Sequence, residues 1–139
     1  LLADTFPAMG DAWTRRARLP GGDIAPPRYE DWERDQSARY RGFDPGLIAR
    51  LCRAYGTRIA AILGDAETET DLGTDFGGGL SQREVDYLVA DEWAETADDI
   101  LWRRSKLGLH GRTDRAALET YLAGRLGRAT VRNASEGPP

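Results

Sequence analysis

Hydrophobic side chains recur at spacings of three and four through most of the chain beyond residue 27, the pattern of helices that each bury one face. Tyr29, Trp32, Gln36 and Tyr40 place one aromatic stripe on an otherwise polar helix, and Pro27 suits its first turn, where a missing N–H costs no helical hydrogen bond. Asp44-Pro45 reads as a cap and a pre-set first turn, followed by an apolar face of Leu47, Ile48, Leu51, Cys52 and Tyr55 that Gly56 ends. Thr57 is expected to cap a short helix carrying Ile59, Ile62 and Leu63, closed by Gly64. Asp65 to Gly79 has four glycines and no basic residue, so it reads as a loop with at most a turn of structure. Ser81 and Glu84 have the spacing of a capping box, with Val85, Leu88, Val89 and Trp93 as the buried stripe of the helix they start. Thr96 caps the next helix, where Asp98 and Asp99 sit in a first turn that favours negative charge, Asp99 pairs with Arg103, and Ile100, Leu101, Ser105 and Leu107 continue the element. Gly108 to Gly111 is a turn. Thr113 is expected to cap a last helix with the face Ala117, Leu118, Tyr121, Leu122 and Leu126, before a polar tail from Asn133 to Pro139 expected to be disordered.

No stretch alternates apolar and polar residues in the manner of a strand. The expectation is therefore an all-α fold, a compact bundle of five or six short helices, too variously spaced for a coiled coil and without an internal repeat. Leu19 to Pro27, LPGGDIAPP, breaks helix with two glycines and three prolines and marks a domain boundary. Residues 1–24 then read as the tail of a preceding domain plus a linker, 25–132 as the helical domain and 133–139 as the tail. The chain opens on Leu, and Leu1, Leu2 and Phe6 read as the last turns of a helix cut from what came before. A length of 139 residues with 40% hydrophobic content supports one core and not two.

Charge narrows the partners. Nineteen basic against 23 acidic residues leave a net charge of −4, which gives no global attraction to nucleic acid or anionic lipid. No nucleic-acid partner is expected. The longest apolar run is about five residues, far below a membrane span, and the N-terminus lacks a basic region followed by an apolar one. One cysteine and one histidine exclude an internal disulfide framework and zinc sites built on several of either.

The remaining candidates for chemistry are weak. Asp65, Glu67, Glu69 and Asp71 alternate like the first ligands of a calcium loop, but the required glycine and final carboxylate positions hold Thr70 and Phe76, so a solvated loop is the better reading. His110 follows a helix and is placed to bond its last carbonyls; Cys52 reads as a buried, inert thiol. Trp13, Trp32, Trp93 and Trp102 are dispersed and read as core and interface. Arg103, Arg104, Arg112, Arg115, Arg125, Arg128 and Arg132 are interleaved with acids, which favours an ion-paired surface over a phosphate groove, although Arg125, Arg128 and Arg132 leave a membrane contact open. Gly21-Gly22 and Gly77-Gly78-Gly79 match no dinucleotide or P-loop motif, and the sole lysine, Lys106, is in no Walker motif. No catalytic, cofactor-binding or metal-binding residue is assigned.

The stretch EVDYLVADEWAETADDILWRRSKLGLH, residues 84–110, nevertheless resembles the signature of the C-terminal domain of aerobic, FAD-dependent glycerol-3-phosphate dehydrogenases. LPGGDI (19–24), RAYGTR (53–58) and DLGTDFG (71–77) precede it in the family's order, and the likeness covers roughly residues 13–126. The related glycerol-phosphate oxidases share the domain more loosely. The resemblance implies a missing flavin domain that binds FAD and sn-glycerol 3-phosphate, passes hydride from substrate C2 to the flavin to give dihydroxyacetone phosphate, and hands electrons to membrane quinone. It implies further that the whole enzyme sits peripherally on the cytoplasmic face of a bacterial inner membrane, and leaves a homo-oligomer open. This chain would be the helical cap packed on that flavin domain, with no FAD of its own. Thr96, Asp98, Asp99, Trp102, Arg103 and Arg104 would then be structural, the acids fixing a helix start and the others, Trp102 foremost, anchoring packing. The competing expectation is a free-standing interaction module that docks on a protein or a membrane.

Overall fold

The computed structural model describes residues 5, 6, 8, 10, 13–24 and 28–135, with side-chain surroundings through residue 127. Leu1, Leu2 and Pro27, to which the sequence assigns helical positions, lie outside the described residues. The order is α1 (Tyr29–Arg39), α2 (Pro45–Tyr55), a 3-10 turn (Gly56–Arg58), α3 (Ile59–Leu63), a 3-10 turn (Glu69–Leu72), α4 (Gln82–Glu92), a π-helical turn (Asp99–Arg104), a 3-10 turn (Leu107–His110) and α5 (Arg115–Ser135). The all-α expectation holds; among the described residues the only strand-like pairing is an isolated antiparallel bridge between Asp75 and Ser81. Helix α5 extends to Ser135, past the expected start of the tail at Asn133, and 136–139 lie outside the described residues.

Helix α2 starts where the sequence places it. The Asp44 carboxylate accepts a 2.9 Å hydrogen bond from the Leu47 amide, satisfying one of the amides a helix start leaves without a partner. Ile48, Leu51, Cys52 and Tyr55 are buried on its inner face. Helix α1 buries none of its own residues, and its stripe packs through half-buried Trp32 and through Tyr40 just beyond its end. The short helix α3 begins without a side-chain cap, so Thr57 is not the cap it was expected to be: the preceding 3-10 turn leads straight into α3 and leaves no free helix start. Thr113 does not cap α5 either, for a different reason. Its hydroxyl is buried without a hydrogen-bond partner, and the neighbouring Asp114 carboxylate instead accepts from the Ala117 amide at 3.0 Å.

The strongest departure is at Glu84. Ser81 does accept from the Glu84 amide at 3.4 Å, but the Glu84 side chain does not turn back to complete the box. It points into the core, 1% exposed, and meets Arg50 of α2 in a two-pronged ion pair with N–O distances of 2.8 and 2.6 Å. The Tyr55 hydroxyl donates to the same carboxylate at 2.6 Å, and Arg50 also donates to the Gly79 carbonyl at 2.6 Å. Burial alone would lower the Arg50 pKa, but its hydrogen bond to Glu84 and the Glu84 charge outweigh this and raise it. Burial, and then the Glu84 charge, push the Tyr55 phenol far above its ordinary range, so it stays a proton donor.

The loop from Asp65 to Gly79 has little regular structure, as expected, yet Leu72 and Phe76, with Leu80 just beyond it, are among the most buried residues of the core. Phe76 is locked by its amide to the Leu80 carbonyl at 2.8 Å and by its own carbonyl, which accepts from the Asp114 amide at 2.6 Å. Phe76 also packs on Tyr121 of α5, ring centres 5.4 Å apart.

Trp93 corrects a second expectation. It is not in the buried stripe but 83% exposed, holding the left-handed end of α4 at φ 55°. The Ala94 amide reaches back to the Leu88 carbonyl at 3.0 Å, the closing bond of a helix end that usually requires glycine.

Both departures are measurable as changes in stability. Removing the Glu84 carboxylate leaves the half-buried Arg50 guanidinium with only the Gly79 carbonyl and the Tyr55 hydroxyl without its acceptor, so Glu84→Ala should lower the free energy of unfolding by about 2–4 kcal/mol in urea titrations. A loss below about 1 kcal/mol would show that the pair is solvated. Trp93→Gly removes a bulky residue from a left-handed position without giving up buried area, and should be neutral or stabilising by about 1 kcal/mol; a substantial loss would place the indole in the core.

Candidate functional site

The segment with the most concentrated polar chemistry is Glu95 to Arg104. Thr96 and Asp99 cap one another: the Asp99 carboxylate accepts from the amides of Glu95 (3.2 Å) and Thr96 (3.0 Å) and from the Thr96 hydroxyl (2.8 Å), while the Asp99 amide donates to that hydroxyl at 3.1 Å. The backbone then runs as a π-turn, closed by the Ser105 amide on the Ile100 carbonyl at 2.9 Å, and turns away at Lys106, whose φ is positive. Ile100 and Leu101 fill the core from this turn. The Thr96 hydroxyl, and then the two amides, hold the Asp99 carboxyl down to a pKa of about 2.

Of the two acids assigned to the helix start, only Asp99 serves it. Asp98 reaches outward to Arg115 of α5 at 2.7 Å, and Arg115 is shared with Glu119 at 2.8 Å. Arg103 pairs with Asp99 at 2.8 Å as the spacing predicts. Arg104 crosses to α4 and donates twice to the Glu92 carbonyl, at 3.1 and 3.0 Å. Trp102, expected to be the buried anchor of the packing, is 45% exposed. The π-turn directs it outward, and it lies against Gly108, where an added Cβ would come within 2.8 Å of the indole. Between this turn and α5 runs an open groove of about 750 Å³, lined by Leu122 and Leu126 together with the Asp98–Arg115–Glu119 ion pairs.

The other candidates resolve into structural roles. In the acidic loop, Glu69 accepts from the Asp44 amide at 2.9 Å, Asp71 accepts from the Glu67 and Thr68 amides, and Asp65 pairs with Arg83 at 2.9 Å. Three of the four carboxylates are thus turned to separate partners, and among the described residues no His, Cys, Asp and Glu side chains group as metal ligands do. His110 is exposed at the end of its 3-10 turn. Cys52 is buried, and desolvation pushes its thiol up to about 11, so little thiolate exists at neutral pH. Arg125 is held by Asp86 at 2.9 Å, beside the Tyr121 hydroxyl on the same carboxylate, which weakens its part in a basic membrane-facing helix. Arg128 and Arg132 lie outside the described side chains. No described helix is long and apolar enough to cross a membrane.

Two of the glycines in the runs Gly21-Gly22 and Gly77-Gly78-Gly79 sit where a side chain cannot. A Cβ at Gly77 would overlap the Arg112 carbonyl, and one at Gly21 would lie 2.5 Å from the Tyr55 carbonyl oxygen. Both places are filled by the chain's own backbone.

A helical domain held by internal ion pairs is the class of protein this geometry defines. Residues 12–124 match the family model of the C-terminal domain of alpha-glycerophosphate oxidase, and the chain belongs to that family. It is 49% identical over 104 residues to a glycerol-3-phosphate dehydrogenase of Pseudomonas aeruginosa, covering 75% of this chain and 20% of that protein. It is 43% identical over 109 residues to the D-erythritol 1-phosphate dehydrogenase of Brucella abortus, covering 78% and 22%, and 40% identical over 108 residues to the aerobic glycerol-3-phosphate dehydrogenase of Escherichia coli, covering 78% and 21%. The chain spans about a fifth of the length of these relatives.

The Thr96–Asp99 cap has a pH dependence of definite sign. Because the folded carboxyl binds its proton less tightly than the unfolded one, whose ordinary value is 3.8, the cap's stabilisation is present above pH ~4 and fades as the pH falls toward 2. Asp99→Asn should therefore be less stable than the parent at pH 7, with the gap in urea midpoint narrowing between about pH 5 and about pH 2. A gap that stays constant across that window would show that the charge plays no part.

Proposed function

We propose that this chain is the C-terminal cap of a bacterial FAD-dependent enzyme that oxidises sn-glycerol 3-phosphate to dihydroxyacetone phosphate and passes the electrons to a quinone. The observation that carries the reading is the 49% identity to a glycerol-3-phosphate dehydrogenase of which the chain spans only a fifth. In this reading FAD and substrate are held by a flavin domain of the same polypeptide, and the whole enzyme rests peripherally on the cytoplasmic face of the inner membrane. The cap contributes shape and stability and no reacting group. Two features support that division of labour. The signature residues Thr96, Asp98, Asp99, Arg103 and Arg104 are engaged within the domain itself. Relatives named for different polyol phosphates share the domain at similar identity, as a part that does not choose the substrate would.

The 139-residue chain, purified alone, is expected to be colourless, to bind no FAD and to leave glycerol 3-phosphate unoxidised. A yellow preparation with a flavin spectrum, or turnover by the isolated chain, would overturn the cap reading. An intact protein that favoured erythritol 1-phosphate over glycerol 3-phosphate would overturn the substrate while leaving the cap in place.

A further inference from the structure

Leu19 to Ile24 has the composition of a linker, and its backbone behaves otherwise. A tight turn closes it, with the Gly22 amide on the Leu19 carbonyl at 2.9 Å, and Arg18 bridges across to Asp23 at 3.0 Å. The Gly21 carbonyl then accepts from the Thr57 amide at 3.1 Å, in the corner between α2 and α3. The fit is made by two glycines in the left-handed region. Gly21 (φ 82°) has the Tyr55 carbonyl oxygen where its Cβ would stand, and Gly56 (φ 54°) has the Gly21 carbonyl there. Neither position accepts a side chain without parting the two backbones.

The contact occupies the Thr57 amide from a segment far earlier in the chain. Beside the strap lies a cleft of about 570 Å³, lined by Tyr29, Arg58 and Tyr87, and Leu19 at the head of the strap is exposed.

We infer that residues 19–24 are a fixed strap, locked by the Gly21–Gly56 backbone contact onto the end of α2, which sets the direction from which the preceding chain enters the helical domain. A flexible linker would let that chain swing; a locked strap transmits its position to the α2–α3 corner. The inference is independent of the enzyme's identity, since it concerns only contacts within this chain.

Backbone relaxation and amide exchange by NMR on the 139-residue chain test it. Order parameters at residues 21–23 should match those of α2, near about 0.85, and the Thr57 amide should exchange roughly 100-fold more slowly than an unprotected one. Gly21→Ala acts from the strap side and leaves the end of α2 untouched; it should free the Thr57 amide and drop the order parameters of the strap below about 0.6 while the helical circular dichroism persists. Gly56→Ala should do the same, and if it also unfolds the domain, Gly21→Ala decides. Values below about 0.6 at residues 21–23 in the parent chain, or Thr57 protection unchanged by Gly21→Ala, would overturn the strap.

Discussion

The carboxylate of Glu84 is the constraint around which this domain is arranged. A charge with 1% exposure is tolerable only when every oxygen is engaged, and here Arg50 supplies two hydrogen bonds and Tyr55 a third. Because both donors sit on α2, the spacing between α2 and α4 is set by hydrogen-bond lengths and not only by apolar packing. Arg50 extends the restraint to the Gly79 carbonyl and so pins the start of α4 and the loop before it. The preceding residue on α4, Arg83, works in parallel: it donates to the Leu63 carbonyl at 2.8 Å and the Asp71 carbonyl at 3.0 Å, tying the end of α3 and the middle of the same loop to α4. Two adjacent residues in one helical turn thereby hold the segments on either side of a loop that carries almost no secondary structure of its own.

That arrangement explains how a glycine-rich, acidic stretch can furnish core residues. Leu72 and Phe76 would be poor anchors on a free loop, since ordering the backbone costs about 1–2 kcal/mol per residue. Here the cost is offset by carbonyl bonds to two arginines and by the Phe76 backbone contacts with Leu80 and Asp114. The Glu95–Arg104 turn follows the same logic at the other end of α4. Thr96 and Asp99 satisfy each other, Asp98 reaches α5, and Arg104 satisfies a carbonyl at the end of α4. The cluster of acids, arginines and a threonine braces the corner between α4 and α5. This fits membership in a C-terminal domain family whose relatives are about five times longer.

Much of the helical framework was legible because it rests on local rules. Helix α2 has a strong cap, a first-position proline and a terminal glycine, and each acts within a few residues of itself. The inert Cys52 and the ion-paired character of Arg103, Arg115 and Arg125 followed equally from their neighbours on the helix or from interleaved charge. What was misread had a local reading that a distant partner overrode. Glu84 has capping-box spacing, but Arg50 lies 34 residues away and binds it more strongly than a single amide can. Thr57 loses its capping role because α2 passes into α3 without a break. Spacing puts Trp93 in a buried stripe and the family resemblance makes Trp102 a packing anchor, and only the left-handed turn after α4 and the π-turn after Asp98 decide that their rings face outward.

By itself, then, the sequence determined the helical class, the positions of the well-capped helices and the family signature, since periodicity, caps and motif residues are properties of neighbouring positions. The tertiary structure alone decided the distant pairings: Glu84 in the core with Arg50, Asp98 on α5, Gly21 against Gly56, and the loop residue Phe76 in the core. The physical reason is range. A helix start is settled by hydrogen bonds across three or four residues, whereas the partner of a buried charge or a loop carbonyl comes from wherever the folded chain returns, and spacing along the sequence carries no record of that return.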